Sequence, residues 1–468
     1  MIAEQEIIIV GSGSTAFAAA LRAQALGARS LMIEKSVLGG TCINWGCIPS
    51  KTLIHAALFR RMAELGERLG LGTSAGELQF SRLDAHKNGV VQELRQTKYL
   101  DVLRKVPGLT LMKGNATFIG PDTIQIGDQV LQGEHILIAS GGFPRVPPIP
   151  GLERISYLTS KSALLLKEIP SSITVVGGGV IALELGQMFS RLGVRVTILE
   201  HGPRILPAVE EEPAQALREA LEAEGMEIFV NTAVCSVSEE DGLTRVFAEV
   251  AGEPRTFFAE KLLLAVGTAP ATADIGLERA GVEVDGRGFI KVDDGMRTTA
   301  PKIWAAGDCV VGGMQIATVG AREGILAVDN MISGCGCKID HHTIPMAIFT
   351  DPEVAMVGYR EQEAKQAGFD VICHTIDAAT IPKAHVTGDL RGAIKIVADK
   401  ATGKILGVHL STHRGADVIN EAALAVRFGM TVADLADTVH VYPSIGEGLR
   451  LCAQAFRRDL ERLSCCAE

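Results

Sequence analysis

Residues 6–10 read Glu-Ile-Ile-Ile-Val, a short apolar, β-branched run that predicts a buried strand. A glycine loop follows at 11–16, Gly-Ser-Gly-Ser-Thr-Ala. A stretch of helical composition covers 16–26, and a second strand at 30–33 is closed by Glu34. The same order returns downstream: a strand at 173–176, the loop Gly177-Gly178-Gly179-Val180-Ile181-Ala182, a helix at 182–192, and a strand at 194–199 closed by Glu200. Each copy reads as a βαβ unit. Its first glycine turns the chain, its second admits a pyrophosphate to backbone N–H groups at the helix N-terminus, and its small third residue lets helix approach strand. Gly11, Gly13 and Ala16 fill these positions in the first copy, and Gly177, Gly179 and Ala182 in the second. Glu34 and Glu200 stand where a carboxylate accepts from ribose hydroxyls.

Between the two units, residues 50–103 are helical in pattern and short strands follow. A Pro-rich crossing at 143–151 reads as a linker into the second unit, and Ala265-Val266-Gly267-Thr268-Ala269-Pro270 as the return. Alternating segments at 393–397 and 406–410 predict an α+β C-terminal part. The fold class is therefore α/β, with two Rossmann-like dinucleotide-binding domains and an α+β C-terminal domain, divided at 1–145, 146–268, 269–338 and 339–468. The length of 468 residues agrees, being sufficient for about three domains.

Composition removes several classes of function. Lys and Arg total 45 against 55 Asp and Glu, a net charge of -10 with no dense basic block, so nucleic acid is excluded as a partner. Mean hydropathy is +0.24, but no run approaches the roughly 18 apolar residues of a membrane span. The first residues are acidic where an export signal is basic, which predicts a cytoplasmic protein. Ten Cys in such a chain are expected to be catalytic, metal-handling or buried rather than a set of structural disulfides.

Two of them carry chemistry. Behind the first unit stands Gly39-Gly40-Thr41-Cys42-Ile43-Asn44-Trp45-Gly46-Cys47-Ile48-Pro49-Ser50-Lys51, with four residues between Cys42 and Cys47. That spacing can close a small disulfide loop. Pro49 suits the first turn of a helix, which puts Cys47 at a helix N-terminus where the macrodipole favours thiolate. Cys235, Cys309, Cys373 and Cys452 lie in apolar surroundings and read as core. Cys335-Gly336-Cys337 reads as a linker turn, since two cysteines supply only half of a tetrahedral metal shell.

With the two glycine loops and the cysteine pair, the segments Trp304-Ala305-Ala306-Gly307-Asp308 and Ile348-Phe349-Thr350-Asp351-Pro352-Glu353-Val354-Ala355 complete a set of five ordered motifs. In these the chain resembles the pyridine nucleotide-disulfide oxidoreductase family over nearly its whole length. The resemblance implies FAD in the first unit, held by Gly11, Gly13, Ala16, Glu34, Gly40, Thr41 and Asp308. It implies NADH or NADPH in the second, held by Gly177, Gly179, Ala182, Glu200 and Gly267. Lys51 and Glu184 fall where the family has an ion pair near the flavin. Residues from 339 onward are similar to its dimerisation domain, implying a homodimer with a shared site.

Family members that reduce disulfides carry His-Pro-Thr-x-x-Glu near the C-terminus. This chain reads Tyr442-Pro443-Ser444-Ile445-Gly446-Glu447, and ends Leu463-Ser464-Cys465-Cys466-Ala467-Glu468. A tyrosine near pKa 10 is a poor proton shuttle at neutral pH, and His440 is expected to point elsewhere. A vicinal pair at a chain end suits transfer of a soft ion by thiolate exchange. Both features resemble the Hg(II)-reducing branch of the family. The resemblance implies that NAD(P)H reduces the flavin, the flavin reduces the Cys42–Cys47 disulfide through Cys47, and Cys465 and Cys466 of one subunit hand Hg(II) to Cys42 and Cys47 of the other. Tyr442 then lies near the ion, which leaves as Hg(0).

The alternatives are a dihydrolipoamide dehydrogenase-like disulfide reductase and a thiol-rich flavoprotein that sequesters metal without turnover. Many members of that branch begin with a small metal-binding domain; this chain starts at the FAD strand, so its ions are expected from another carrier or by diffusion. A tyrosine that some members have in the second glycine loop is Val180 here. Glu200 repels a 2′-phosphate, so NADH is expected to serve at least comparably with NADPH unless Arg204 rescues phosphate binding.

Overall fold

The computed structural model describes residues 3–459. The run at 6–10 is the heart of the strand Ala3–Val10, and its three isoleucines are buried. Its parallel neighbours are Ser30–Glu34 and Gln129–Ile138. Leu109–Lys113 lies outside the first of these and Ile303–Ala305 pairs with the second. A strand covered on both faces reads as a continuous apolar run, as Ile7–Val10 does, while Glu4, Gln5 and Glu6 at its start stay at least partly in solvent. The helix Ser14–Ala25 covers one face, and Ala317–Ser333 packs onto it so closely that a Cβ on Gly324 would meet the Thr15 carbonyl oxygen at 2.5 Å.

The second glycine loop belongs to an all-parallel sheet ordered Glu227–Phe229, Arg195–Leu199, Ser172–Val176, Lys261–Leu264 and Leu158–Thr159. An antiparallel meander, Thr232–Glu240, Leu243–Val250 and Glu253–Ala259, packs beside it. The Pro-rich crossing and the return pair with each other, Gly142–Pro144 antiparallel to Thr268–Pro270. From Met346 onward the chain forms a five-stranded antiparallel sheet. The helices Gly415–Phe428, Val432–Asp437 and Glu447–Gln454 bury their apolar faces against it.

Three expectations need correction. The helical stretch at 50–103 is not continuous: Cys47–Gly66 ends in a turn, 70–79 is irregular, and Phe80–Arg95 resumes the helix. Gly70, Gly72 and Gly76 cluster in the break, each lowering helix stability by about 1 kcal/mol relative to Ala. Of the four expected core cysteines, Cys309 and Cys452 are buried, but Cys235 and Cys373 are only half-buried because their strands lie at sheet edges. Cys335-Gly336-Cys337 lies in the irregular linker 334–340, and its two sulfurs are bonded to each other.

Candidate active site

Cys42 lies in the short helix Gly40–Trp45, and Cys47 is the first residue of Cys47–Gly66. Gly46 joins the helices where a Cβ would come within 2.9 Å of the Thr41 carbonyl oxygen, so the second helix can fold back over the first. The two half-buried thiols meet, and Cys42 donates a hydrogen bond to the Cys47 sulfur. This bond, with help from the Lys51 charge and a backbone N–H, lowers the Cys47 thiol to about 7 against burial and the Glu184 charge. Cys42 moves upward for the reciprocal reason, reinforced by burial. The pair therefore carries one thiolate, which resides on Cys47. The helix adds to this: its N-terminus has no side-chain cap and no acid in the first turn, leaving its N–H groups to stabilise the anion.

One helical turn on, Lys51 Nζ stands 2.7 Å from Glu184 Oε2 and 4.9 Å from the centre of the Phe349 ring. The other Glu184 oxygen accepts the Phe349 backbone N–H at 2.9 Å. Glu184 is 4% exposed and sits on Val180–Arg191, which packs against the cysteine helix. Phe349 leads into the antiparallel sheet, so one carboxylate ties three parts of the chain to the cysteine pair. Phe349 lies in a motif the sequence displays, but nothing there marks its amide as a partner for Glu184. Tyr99, packed 3.5 Å from the Cβ position of Gly39, carries no sequence signal.

Gly11 has φ +122°, and a Cβ there would lie 2.2 Å from the Ala139 carbonyl oxygen; Gly177 has φ +110° and would clash with Ala265 at 2.5 Å. Only glycine fits either turn. Gly13 and Gly179 are helix N-caps without side-chain caps, neither first turn holds an acid, and Ala16 and Ala182 are fully buried. Both helix ends thus suit a diphosphate. Gly40 closes on the first loop, its Cβ position 2.7 Å from the Gly13 Cα, while Thr41 is exposed. Glu34 accepts from the Ser12 hydroxyl at 2.6 Å and from the Ser36 N–H. Asp308 is raised above the ordinary carboxylate range by burial and by Glu323.

In the second unit, Glu200 accepts the Gly178 N–H and, at 2.6 Å, the Gly202 N–H. Gly267 lies at φ +102° beside the return strand. Arg204 spends its guanidinium on the carbonyls of Leu206, Pro207 and Val209, at 3.0, 3.1 and 2.9 Å. Tyr442 is 47% exposed, between the still more exposed Val441 and the exposed Pro443. His440 faces away from it in bonding terms: Nε2 meets Glu421 at 2.7 Å and Nδ1 the Thr438 carbonyl at 2.9 Å. Glu421 raises the His440 pKa, and burial raises that of Glu447. Cys465 and Cys466 lie outside the described residues.

No helix among the described residues is long and apolar enough to cross a membrane. The sequence pattern of the pyridine nucleotide-disulphide oxidoreductases matches residues 5–324, and that of their dimerisation domain residues 344–453. The chain is 39% identical over 464 residues to a mercuric reductase of Bacillus cereus, covering 99% of this chain and 73% of that one. It is 36% identical over 469 residues to a mercuric reductase of Streptomyces lividans, covering 99% and 98%. Among solved structures it is similar to the Cu(II) complex of the HOCl-induced flavoprotein disulfide reductase RclA from Escherichia coli, with a TM-score of 0.86, 31% identity, and 97% and 100% of the two chains covered. With both of the family's domains present in order and a free cysteine pair behind the first glycine loop, the chain belongs to the pyridine nucleotide-disulphide oxidoreductase family.

Proposed function

We propose that this protein reduces Hg(II) to Hg(0) with two electrons from NADH or NADPH, passed through FAD to Cys42 and Cys47. The observation that carries this reading is a thiolate-forming cysteine pair in a chain similar over 99% of its length to mercuric reductases. Bound FAD supplies the relay between a hydride donor and sulfur. Gly11, Gly13 and Ala16 would let its diphosphate approach, Gly40 and Thr41 would help to hold it, Glu34 would accept from the ribose, and Asp308 would bind the ribityl chain. Gly177, Gly179, Ala182, Glu200 and Gly267 do the corresponding work for the nicotinamide nucleotide. Cys47 presents the electron-rich sulfur, and Cys42 the second soft ligand for the substrate ion. Lys51, fixed by Glu184, is the nearby positive charge that holds the thiolate. Cys465 and Cys466 collect Hg(II), and the Tyr442 hydroxyl approaches it from the partner subunit.

We divide the chain at 1–145, 146–268, 269–338 and 339–468, a reading supported by the sheets to which the strands belong and by the pairing of Gly142–Pro144 with Thr268–Pro270. A homodimer is supported by the large apolar side chains of Leu424, Phe428, Val439 and Val441, which are 56% to 85% exposed in the C-terminal part. Consumption of a reduced nicotinamide nucleotide suits the cytoplasm. A disulfide reductase fares worse, because Tyr442 occupies the acid/base position and both nitrogens of His440 are engaged. The decisive assay is Hg(II)-dependent NAD(P)H oxidation in excess thiol, with mercury vapour collected. One nucleotide oxidised per Hg(0) released is expected; oxidation without vapour overturns the reading.

A further inference from the structure

Cys335 and Cys337 stand outside this machinery. They follow the C-terminus of the helix Ala317–Ser333, whose N-terminal Gly320 lies against Gly307 and Thr15 in the first nucleotide unit. Seventeen residues at 1.5 Å each put about 25 Å between the two ends, too far for a sulfur there to serve the flavin directly. The bond between them spans a sequence separation of only 2. So short a ring removes little freedom from the unfolded chain, and a role in stability is a poor account of it.

The surroundings suit a site that opens and closes. Cys335 is exposed and Cys337 half-buried. Gly334 and Gly336 have φ +60° and +63°, and nothing lies within 4 Å of a Cβ at either, so space above the turn is open. The turn is nevertheless fixed from below. Asn330 Oδ1 accepts the Cys337 N–H at 2.8 Å, and its Nδ2 donates to the carbonyls of Cys337 and Gly295 at 3.0 and 2.9 Å. Beside the turn is a cavity of about 290 Å³ whose wall includes Asp293, Asp294, Arg297 and Lys338, charges of both signs that suit a small zwitterionic thiol.

We propose that Cys335 and Cys337 are a second, redox-gated site for a two-coordinate thiophilic ion, Hg(II) above all. Two thiolates are half of a tetrahedral shell but all of a linear one. With a low-molecular-weight thiol as reductant, two thiols are oxidised to their disulfide while the Cys335–Cys337 bond is cleaved to two thiols. A bis-thiolate complex of Hg(II) then exchanges: two Hg–S bonds to the carrier break, two to Cys335 and Cys337 form, and both cysteine protons leave with the carrier thiols. No electron moves in the exchange. Oxidised, the site is closed; reduced, it holds the ion away from the flavin. The choice of ion rests on the activity proposed above.

The test uses the full-length flavoprotein with Cys42, Cys47, Cys465 and Cys466 all changed to Ala, so that the remaining cysteines are a constant background. After anaerobic reduction with excess dithiothreitol and desalting, Hg(II) is supplied as its bis-cysteine complex, and metal retained through gel filtration is counted. One further equivalent per chain is expected relative to the same protein carrying Cys335→Ser and Cys337→Ser, and no difference without prior reduction. Equal retention by the two proteins overturns the proposal. So does failure of the folded chain to gain two thiols on reduction, or a large fall in Tm in an otherwise native Cys335→Ser, Cys337→Ser protein, either of which marks a structural bond. If Hg(II)-dependent NAD(P)H oxidation fails, the proposed activity falls while this binding measurement stands; if only the binding fails, the activity stands.

Discussion

Lys51 and Glu184, 133 positions apart in the chain, meet at 2.7 Å on two packed helices, one headed by Cys47 and the other by the second glycine loop. Their charges act on the Cys47 sulfur in opposite senses. Lys51→Met is expected to raise the pKa of Cys47 and Glu184→Gln to lower it, each by a fraction of a unit to one unit. Thiolate absorbance of the reduced protein, followed with pH, measures both shifts. Two variants that move the pKa in the same direction contradict the assignment.

The first proton of the reduced pair is predicted to leave at about pH 7, two units below an ordinary thiol. Alkylation of reduced enzyme by iodoacetamide should therefore be slow at pH 5.5, rise through about pH 7 and level off by about pH 8. The sign follows from a depressed pKa: the native state favours the thiolate, so this part of its stability is complete above about pH 9 and is lost as pH falls through about 7. An alkylation midpoint near pH 9 refutes the shift.

Glu200 holds its carboxylate on two backbone N–H groups, and Arg204 is tied to three carbonyls. A 2′-phosphate therefore meets a negative charge without an available arginine. NADH should support kcat/KM at least equal to that of NADPH. Glu200→Ser should favour NADPH by about tenfold, corresponding to about 1.4 kcal/mol of relieved repulsion. A wild-type protein that strongly prefers NADPH runs against this.

Tyr442 stands five residues before Glu447, a buried carboxyl raised above its usual range. Tyr442→His restores the acid/base pair of the disulfide-reducing relatives. It is expected to raise flavin-linked reduction of glutathione disulfide or lipoamide by roughly 100-fold or more while lowering mercury turnover. No gain with either disulfide would show that the exchange at this position does not separate the two activities.

A Cys465→Ala, Cys466→Ala protein should keep flavin reduction by NADH but lose most turnover when mercury is supplied with a large excess of thiol, because direct exchange onto the half-buried inner pair is slow. With weakly complexed Hg(II) the loss should be smaller. Equal rates in both media would remove the tail from the delivery route.

The sequence by itself determined what local backbone and local chemistry require. Gly11 and Gly177 are legible because no side chain fits their turns, Cys47 because Pro49 marks the first turn of its helix, and Tyr442 because one residue is replaced in a recognisable segment. Tertiary structure decided what depends on partners far along the chain. The Phe349 N–H reaches Glu184 across 165 positions, His440 is held by Glu421, and the crossing strand Gly142–Pro144 pairs with the return. Such contacts arise when sheets and helices pack, and hydrophobic period does not encode them. The bond between Cys335 and Cys337 is local in sequence and their spacing allows it, while the Asn330 side chain fixes the segment that carries it.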